Sequence, residues 1–306
     1  MLFPNNKSRS VVFWGIGISI GLLIVAVISK YYLPSGSLED TYRNIVKKSE
    51  IVSQLRINLL KSGEMEKSSV MAITDEESKE FADKSLAASA AVDQNLKLLR
   101  SLIDGAPLLD EEKLLLEFNT CWTEYRKLDQ TILELAVQNT NLKAARLSRE
   151  NGDAAMGRFE HALGDVMRSY VGMPEEGQVT RLAYQAITAG LKIYNLHSAH
   201  IAEASDEKMD QIEAQMKAEE NEVVKSLDEL AGIIGEERQE ALAQAKAAYA
   251  EFMEVTAKVI ALSRENSNIK SLELSLGRKR KIATQCDEVL ATFQETVQSR
   301  TFKATR

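Results

Sequence analysis

The residues able to do chemistry in this 306-residue chain are few, with three histidines and two cysteines. His197-x-x-His200-x-x-Glu203 would set two imidazoles and a carboxylate one turn apart along a helical face, a spacing that suits a metal such as zinc. His200, however, continues the apolar series from Leu196, where a packed histidine is commoner. No metal is therefore expected, and His197, His200 and Glu203 are the candidates should one bind. A di-iron bundle centre needs Glu-x-x-His, so that both ligands project inward. The residues three before His161, His197 and His200 are Arg158, Tyr194 and His197, and that site is absent. There is no Cys-x-x-Cys-His, Gly-rich phosphate loop or Gly-x-Ser-x-Gly elbow. The chain does not read as an enzyme, and no cofactor is expected.

Cys121 and Cys286 could form one disulfide, but two buried free thiols are the expected state. The run Arg278-Lys279-Arg280-Lys281 could attract an anionic partner; its simpler reading is a solvated helix face. Arg300, Lys303 and Arg306 could rest against anionic lipid headgroups. Trp122, Tyr125, Tyr249 and Phe252 could form a ligand box, yet they fall at helical spacing on apolar seams, which points to core packing.

The elements that would position these residues are helices. Only four prolines occur, aromatics make up 6%, and no persistent two-residue alternation is present, so the fold class is all-α. One signal recurs. An apolar run ends in Asn139-Thr140-Asn141, and another, 127 residues on, in Asn266-Ser267-Asn268. Asn tolerates the left-handed conformation that closes a helix, while Thr, Ser and Asn supply the oxygen that caps the next one. Each triplet is therefore predicted to be a tight reversal; the alternative keeps each Asn inside one long helix that reverses near Asn151-Gly152. Thr74-Asp75-Glu76 and Ser205-Asp206-Glu207 form a second pair, and a Gly105–Leu108 loop missing from the second copy accounts for their different offset. Eight helices near 30 residues follow, with apolar residues at three-, four- and seven-residue steps. Short turns between equal helices imply two tandem antiparallel four-helix bundles, residues 37–172 and 178–300, with a tail at 301–306.

Val11 to Ser29 contains no charge, which with its flanks approaches the ~20 residues needed to cross a bilayer. Residues 11–32 are read as an uncleaved transmembrane helix, with Trp14 and Tyr31-Tyr32 at the interfaces. Lys7 and Arg9 keep residues 1–10 in the cytoplasm. The net charge is −7, and residues 1–36 hold three basic and no acidic groups, leaving −10 on the remainder. Such a surface repels nucleic acid.

Met65-Glu66-Lys67 with Met71-Ala72-Ile73-Thr74-Asp75-Glu76, Leu116-Glu117-Phe118-x-x-x-Trp122-x-x-Tyr125, and Ile132-Leu133-Glu134-Leu135-Ala136 resemble the four-helix-bundle sensor domain of bacterial methyl-accepting chemotaxis receptors. The resemblance covers roughly residues 37–171 and is fainter across 178–300. It also extends to the helical bimodular sensors, which stack two helical modules. It implies a periplasmic module that senses a small ligand or a partner protein for signal transduction and could form a homodimer; later apolar runs are broken by Glu, Lys or Asp, so the chain is read as single-pass in the inner membrane. Receptors for amino acids carry Arg-x4-Arg-x3-Arg on the first helix. The nearest register here is Arg56, Lys61 and Met65, which leaves Arg56 and Lys61 as ligand-binding candidates but argues against the same carboxylate grip. Such receptors continue into a second span, a HAMP linker and a signalling coiled coil. This sequence ends at Arg306 without them, so the expectation is that it hands its state to another membrane component. The alternative is a structural or assembly scaffold in a larger complex.

Overall fold

The computed structural model describes residues 38–304. The expected transmembrane helix lies outside those residues, and among the described ones no helix is long and apolar enough to cross a membrane. The described chain is all-α. It runs α1 (Leu38–Met71), α2 (Asp75–Asp104), α3 (Leu109–Ala136) and α4 (Thr140–Leu147), which a π-helical turn (Ser148–Gly152) joins to α5 (Asp153–Ser169). Next come α6 (Glu176–Ala202), α7 (Asp206–Ile233), α8 (Gln239–Glu265) and α9 (Ser267–Leu274), which a second π turn (Ser275–Lys279) joins to α10 (Arg280–Ala304).

Local signals placed these elements well. Thr74 Oγ1 accepts from Glu77 N, and Ser205 Oγ accepts from Lys208 N, so both copies of the Thr/Ser-Asp-Glu signal are N-caps. Acidic residues crowd the first turns of α2, α3 and α7, where the helix dipole favours them.

The grouping of helices into bundles differs from the tandem expectation. One core is built from Val52, Leu55 and Leu59 of α1, Val92 and Leu99 of α2, and Phe118 and Tyr125 of α3, together with Leu290, Phe293 and Val297 of α10. The other core draws on α5, α6, α7 and α8, with Phe159, Leu182, Val223 and Phe252 among its buried members. The division at 172/178 is thus replaced by a nested one. A continuous bundle (α5–α8) is inserted between the third and fourth helices of a split bundle (α1–α3 and α10). Leu290 and Phe293 are fully buried, and each contributes about 1.5–3 kcal/mol toward holding the returning helix in place.

The Asn triplets therefore do not reverse the chain. Asn139 (φ 52°) and Asn266 (φ 56°) do adopt the left-handed conformation, but the helix that follows each one enters the other bundle. The physical reason lies in the capping. Thr140 N donates to Ser267 Oγ and Ser267 N to Thr140 Oγ1, while Asn141 N donates to Asn268 Oδ1 and Asn268 N to Asn141 Oδ1. Each copy caps the other. The two crossing segments are held side by side by four reciprocal bonds, with Thr140 and Ser267 buried. Asn139 Nδ2 also reaches Asp75, and Asn266 Nδ2 reaches the Glu203 carbonyl, which brings both hairpin turns to the same waist.

The expectation of free thiols is overturned as well. Cys121 and Cys286 form a disulfide, with Cα atoms 5.7 Å apart. A tandem arrangement would put them in different bundles; nesting makes α3 and α10 neighbours. At the outer end of the split bundle, Lys48 Nζ donates to Glu111 Oε2 at 2.7 Å and Arg300 Nη1 to Glu111 Oε1 at 2.9 Å, tying α1, α3 and α10 together. Arg300 is thereby engaged with Glu111 and Asp110 within the protein, and Arg306 lies outside the described residues.

Candidate functional site

Charged side chains on an apolar seam are costly unless they are paired, so they mark places where the sequence does more than pack. Three such positions converge in the split bundle. Glu66 lies on α1, Asp129 on α3 and Lys279 at the end of the second π turn, and all three are essentially buried. Lys279 Nζ bonds to Asp129 Oδ1, lies 3.1 Å from Glu66 Oε2 and sits 4.5 Å from the Tyr125 ring centroid. Burial opposes its charge, but Tyr125, Asp129 and Glu66 outweigh that penalty and hold its pKa above the ordinary lysine value. Burial likewise pushes up the pKa of the Tyr125 phenol, which lies 3.2 Å from Ser62 Oγ. Ser62 in turn bonds Ser89 at 2.8 Å. A polar column thus runs through the bundle interior beside the π turn.

This column borders a groove of about 590 Å³ between α1 and α10, lined among others by Gly63, Glu66, Met71, Tyr125, Ser275 and Lys279. Two of these groups are incompletely paired. Glu66 Oε1 and Ser275 Oγ, both buried, have no hydrogen-bond partner among the described residues.

The other bundle shows what the same position becomes when closed. The offset between copies is 131 residues before the Gly105–Leu108 loop and 127 after it. These offsets pair Glu66 with His197, Asp129 with Thr256, Lys279 with Gly152, Ser275 with Ser148 and Gly63 with Tyr194. In the continuous bundle the cluster is neutral and complete: His197 Nδ1 lies 2.8 Å from Ser148 Oγ, and its Nε2 lies 3.1 Å from Thr256 Oγ1. Burial, then the neighbouring His200, pushes the His197 pKa down to about 4. The Tyr194 ring covers Gly152, where an added Cβ would meet it at 3.4 Å. In the split bundle a glycine replaces that tyrosine and a lysine replaces that glycine. This glycine, Gly63, and this lysine, Lys279, both line the groove, whose floor is charged.

The residues singled out by sequence fall around this site unevenly. Arg56 donates to Asp287 through Nε (2.6 Å) and Nη2 (3.0 Å), linking α1 to α10 beside the groove. Lys61 is exposed and is not among the residues lining the groove. His200 Nδ1 lies 2.8 Å from Ser263 Oγ and its Nε2 lies 2.9 Å from Glu213, while Glu203 accepts from the backbone of Ala204 and Ser205. The structure does not bring His197, His200 and Glu203 together, and the described residues contain no group of three or more His, Cys, Asp or Glu able to hold a metal ion. Within the basic run, Lys279 is buried, which corrects the reading of that run as a wholly solvated face. Trp122, Tyr125, Tyr249 and Phe252 are core residues.

Glu66, Asp129 and Lys279 were missed as a set, although a signal was present. Lys279 stands one heptad before Cys286, and Asp129 stands between Tyr125 and Ile132 on the α3 seam. Glu66 stands seven residues after Leu59.

Among known proteins, the family model described as a four helix bundle sensory module for signal transduction matches residues 12–171. No curated protein matches the chain. The matched segment supplies α1, α2 and α3 to the split bundle, then α4 and α5 on the far side of the crossing.

Proposed function

The chain belongs to the family of four-helix-bundle sensory modules for signal transduction, and from that premise we propose that it senses a small molecule in the groove between α1 and α10. In this reading residues 11–32 anchor it in the bacterial inner membrane, residues 1–10 lie in the cytoplasm and the bundles lie in the periplasm. The uncharged stretch Val11–Ser29 supports the anchor. The Cys121–Cys286 disulfide supports an oxidising compartment. The carrying observation is the pair of buried, unpartnered oxygens, Glu66 Oε1 and Ser275 Oγ, beside an open groove.

The helices bordering the groove are suited to carrying a signal. α1 follows directly from the anchor in sequence, and the Lys48–Glu111–Arg300 cluster places the start of α1 and the end of α10 at one end of the molecule. A ligand gripping both helices would favour one relative position of the pair, and a small helix shift is a known way to report occupancy. The output passes to a protein partner in the membrane or periplasm, with a second copy of the chain as one candidate.

A melting-temperature screen of the full-length protein in detergent tests the reading. A ligand at 100 times its Kd stabilises the folded state by about 2.7 kcal/mol, a shift of several degrees for a chain of this size. At least one compound in a panel of small amines, carboxylates and sugars should raise the midpoint of the wild-type protein but not that of Gly63→Leu, whose side chain fills the groove. If no compound shifts the wild type, the sensing role fails and the scaffold alternative takes its place.

A further inference from the structure

We propose that the groove is selective for a ligand carrying a protonated amine on an apolar body; the proposal rests on the sensing reading above and names its ligand class. The argument begins with hydrogen-bonding capacity. An ammonium has three donors and no acceptor. Lys279 directs its ammonium at Asp129, Glu66 and the Tyr125 ring, so it has little left to offer an anion. What remains open is acceptor capacity: Glu66 Oε1 is wholly unpaired, and the Ser275 hydroxyl can accept or donate. A ligand completing this floor must bring N–H or O–H donors.

Charge points the same way. Glu66 and Asp129 are two buried carboxylates that share the buried ammonium of Lys279, and Asp129 has a second cation in Arg126, 3.7 Å from its Oδ2, whereas Glu66 has Lys279 alone. The other cations lining the groove, Lys67 and Arg280, are exposed to solvent, which screens them, and Glu64 and Asp287 line the same groove. A cation entering beside Glu66 Oε1 would pair that buried, unpartnered oxygen, whereas an anion there would face it without a donor to offer. The Arg56 guanidinium is already committed to Asp287.

The remaining lining describes the rest of the ligand. Leu59, Leu60, Met71 and Ala283 give apolar walls, in a space well beyond that needed for an ammonium alone. A hydrocarbon or aromatic body fits these walls. The continuous bundle lends independent support, because there the position of Gly63 is occupied by Tyr194, whose ring stands 5.7 Å from His197, in the place of Glu66. An aromatic side chain thus stands in one bundle at the position that in the other is Gly63, a residue lining the groove.

The test is isothermal titration of the full-length protein in detergent with phenethylamine and with 3-phenylpropionate, two probes of similar body and opposite charge. Phenethylamine should bind one per chain and 3-phenylpropionate at least tenfold more weakly. Glu66→Gln should weaken phenethylamine at least tenfold while leaving the helical circular-dichroism signal unchanged, and Gly63→Leu should abolish binding with the carboxylate intact. Should Glu66→Gln fail to fold, Gly63→Leu decides alone. Equal or tighter binding of the carboxylate overturns the amine assignment while the groove reading stands. Phenethylamine binding that survives Gly63→Leu overturns the proposal by placing the site elsewhere. No binding by phenethylamine, when other panel compounds shift the wild-type melting point in a Gly63-dependent way, also overturns the amine assignment; no shift by any compound removes the sensing reading itself.

Discussion

Removing the disulfide by the paired substitution Cys121→Ser and Cys286→Ser tests the nested topology directly. The bridge spans a sequence separation of 165 residues. In the loop-entropy treatment, closing a loop of that length in the unfolded chain is worth about 5 kcal/mol. The structure modifies this figure. While the continuous bundle stays folded, the reciprocal bonds at Asn139–Asn141 and Asn266–Asn268 hold its two ends together, and the open loop shrinks to roughly 40 residues, which the same relation puts at about 4 kcal/mol. The expected loss is therefore about 4–5 kcal/mol. It should fall on the split bundle, since α10 is the helix the bridge retains. Urea denaturation followed by circular dichroism gives the total, and hydrogen exchange gives the location, with α1, α3 and α10 losing protection before α6 and α7. A loss below about 1 kcal/mol, or two reactive thiols in the denatured, unreduced protein, would refute the reasoning.

Two more outcomes follow from the buried polar clusters. Lys279→Met should destabilise the protein by about 3–5 kcal/mol, because it leaves Glu66 buried without its countercharge and Asp129 with Arg126 alone; adding Asp129→Asn should recover part of the loss in a double-mutant cycle by urea denaturation, and purely additive effects would contradict the coupling. Burial pushes the His197 pKa down to about 4 in the folded protein, against the ordinary histidine value of 6.5 in the unfolded chain, so between those values the unfolded chain binds more protons and stability falls as pH drops from 6.5 to 4. That contribution, about 3 kcal/mol, is complete above pH 6.5. His197→Gln should flatten the corresponding part of the pH–stability curve, and an unchanged slope would assign it to other groups.

The sequence by itself determined the helices. Seam periodicity, the Thr74 and Ser205 caps and the left-handed Asn residues are all local, set within a turn or two of the chain, and each appears where the residues put it. The duplication was legible for the same reason, since a repeated motif needs no knowledge of contacts. Partner choice was not legible. Thr140 and Ser267 were recognisable as capping residues, but a hydroxyl caps any nearby N–H equally well, and only the tertiary structure decided that each serves the opposite copy. That exchange sends α5 and α10 into different bundles, joins Cys121 to Cys286, and carries Lys279 from an ordinary basic run to Glu66 and Asp129. Local sequence sets backbone conformation over a few residues; which apolar face meets which is settled by burying all of them at once, and the groove belongs to that second step.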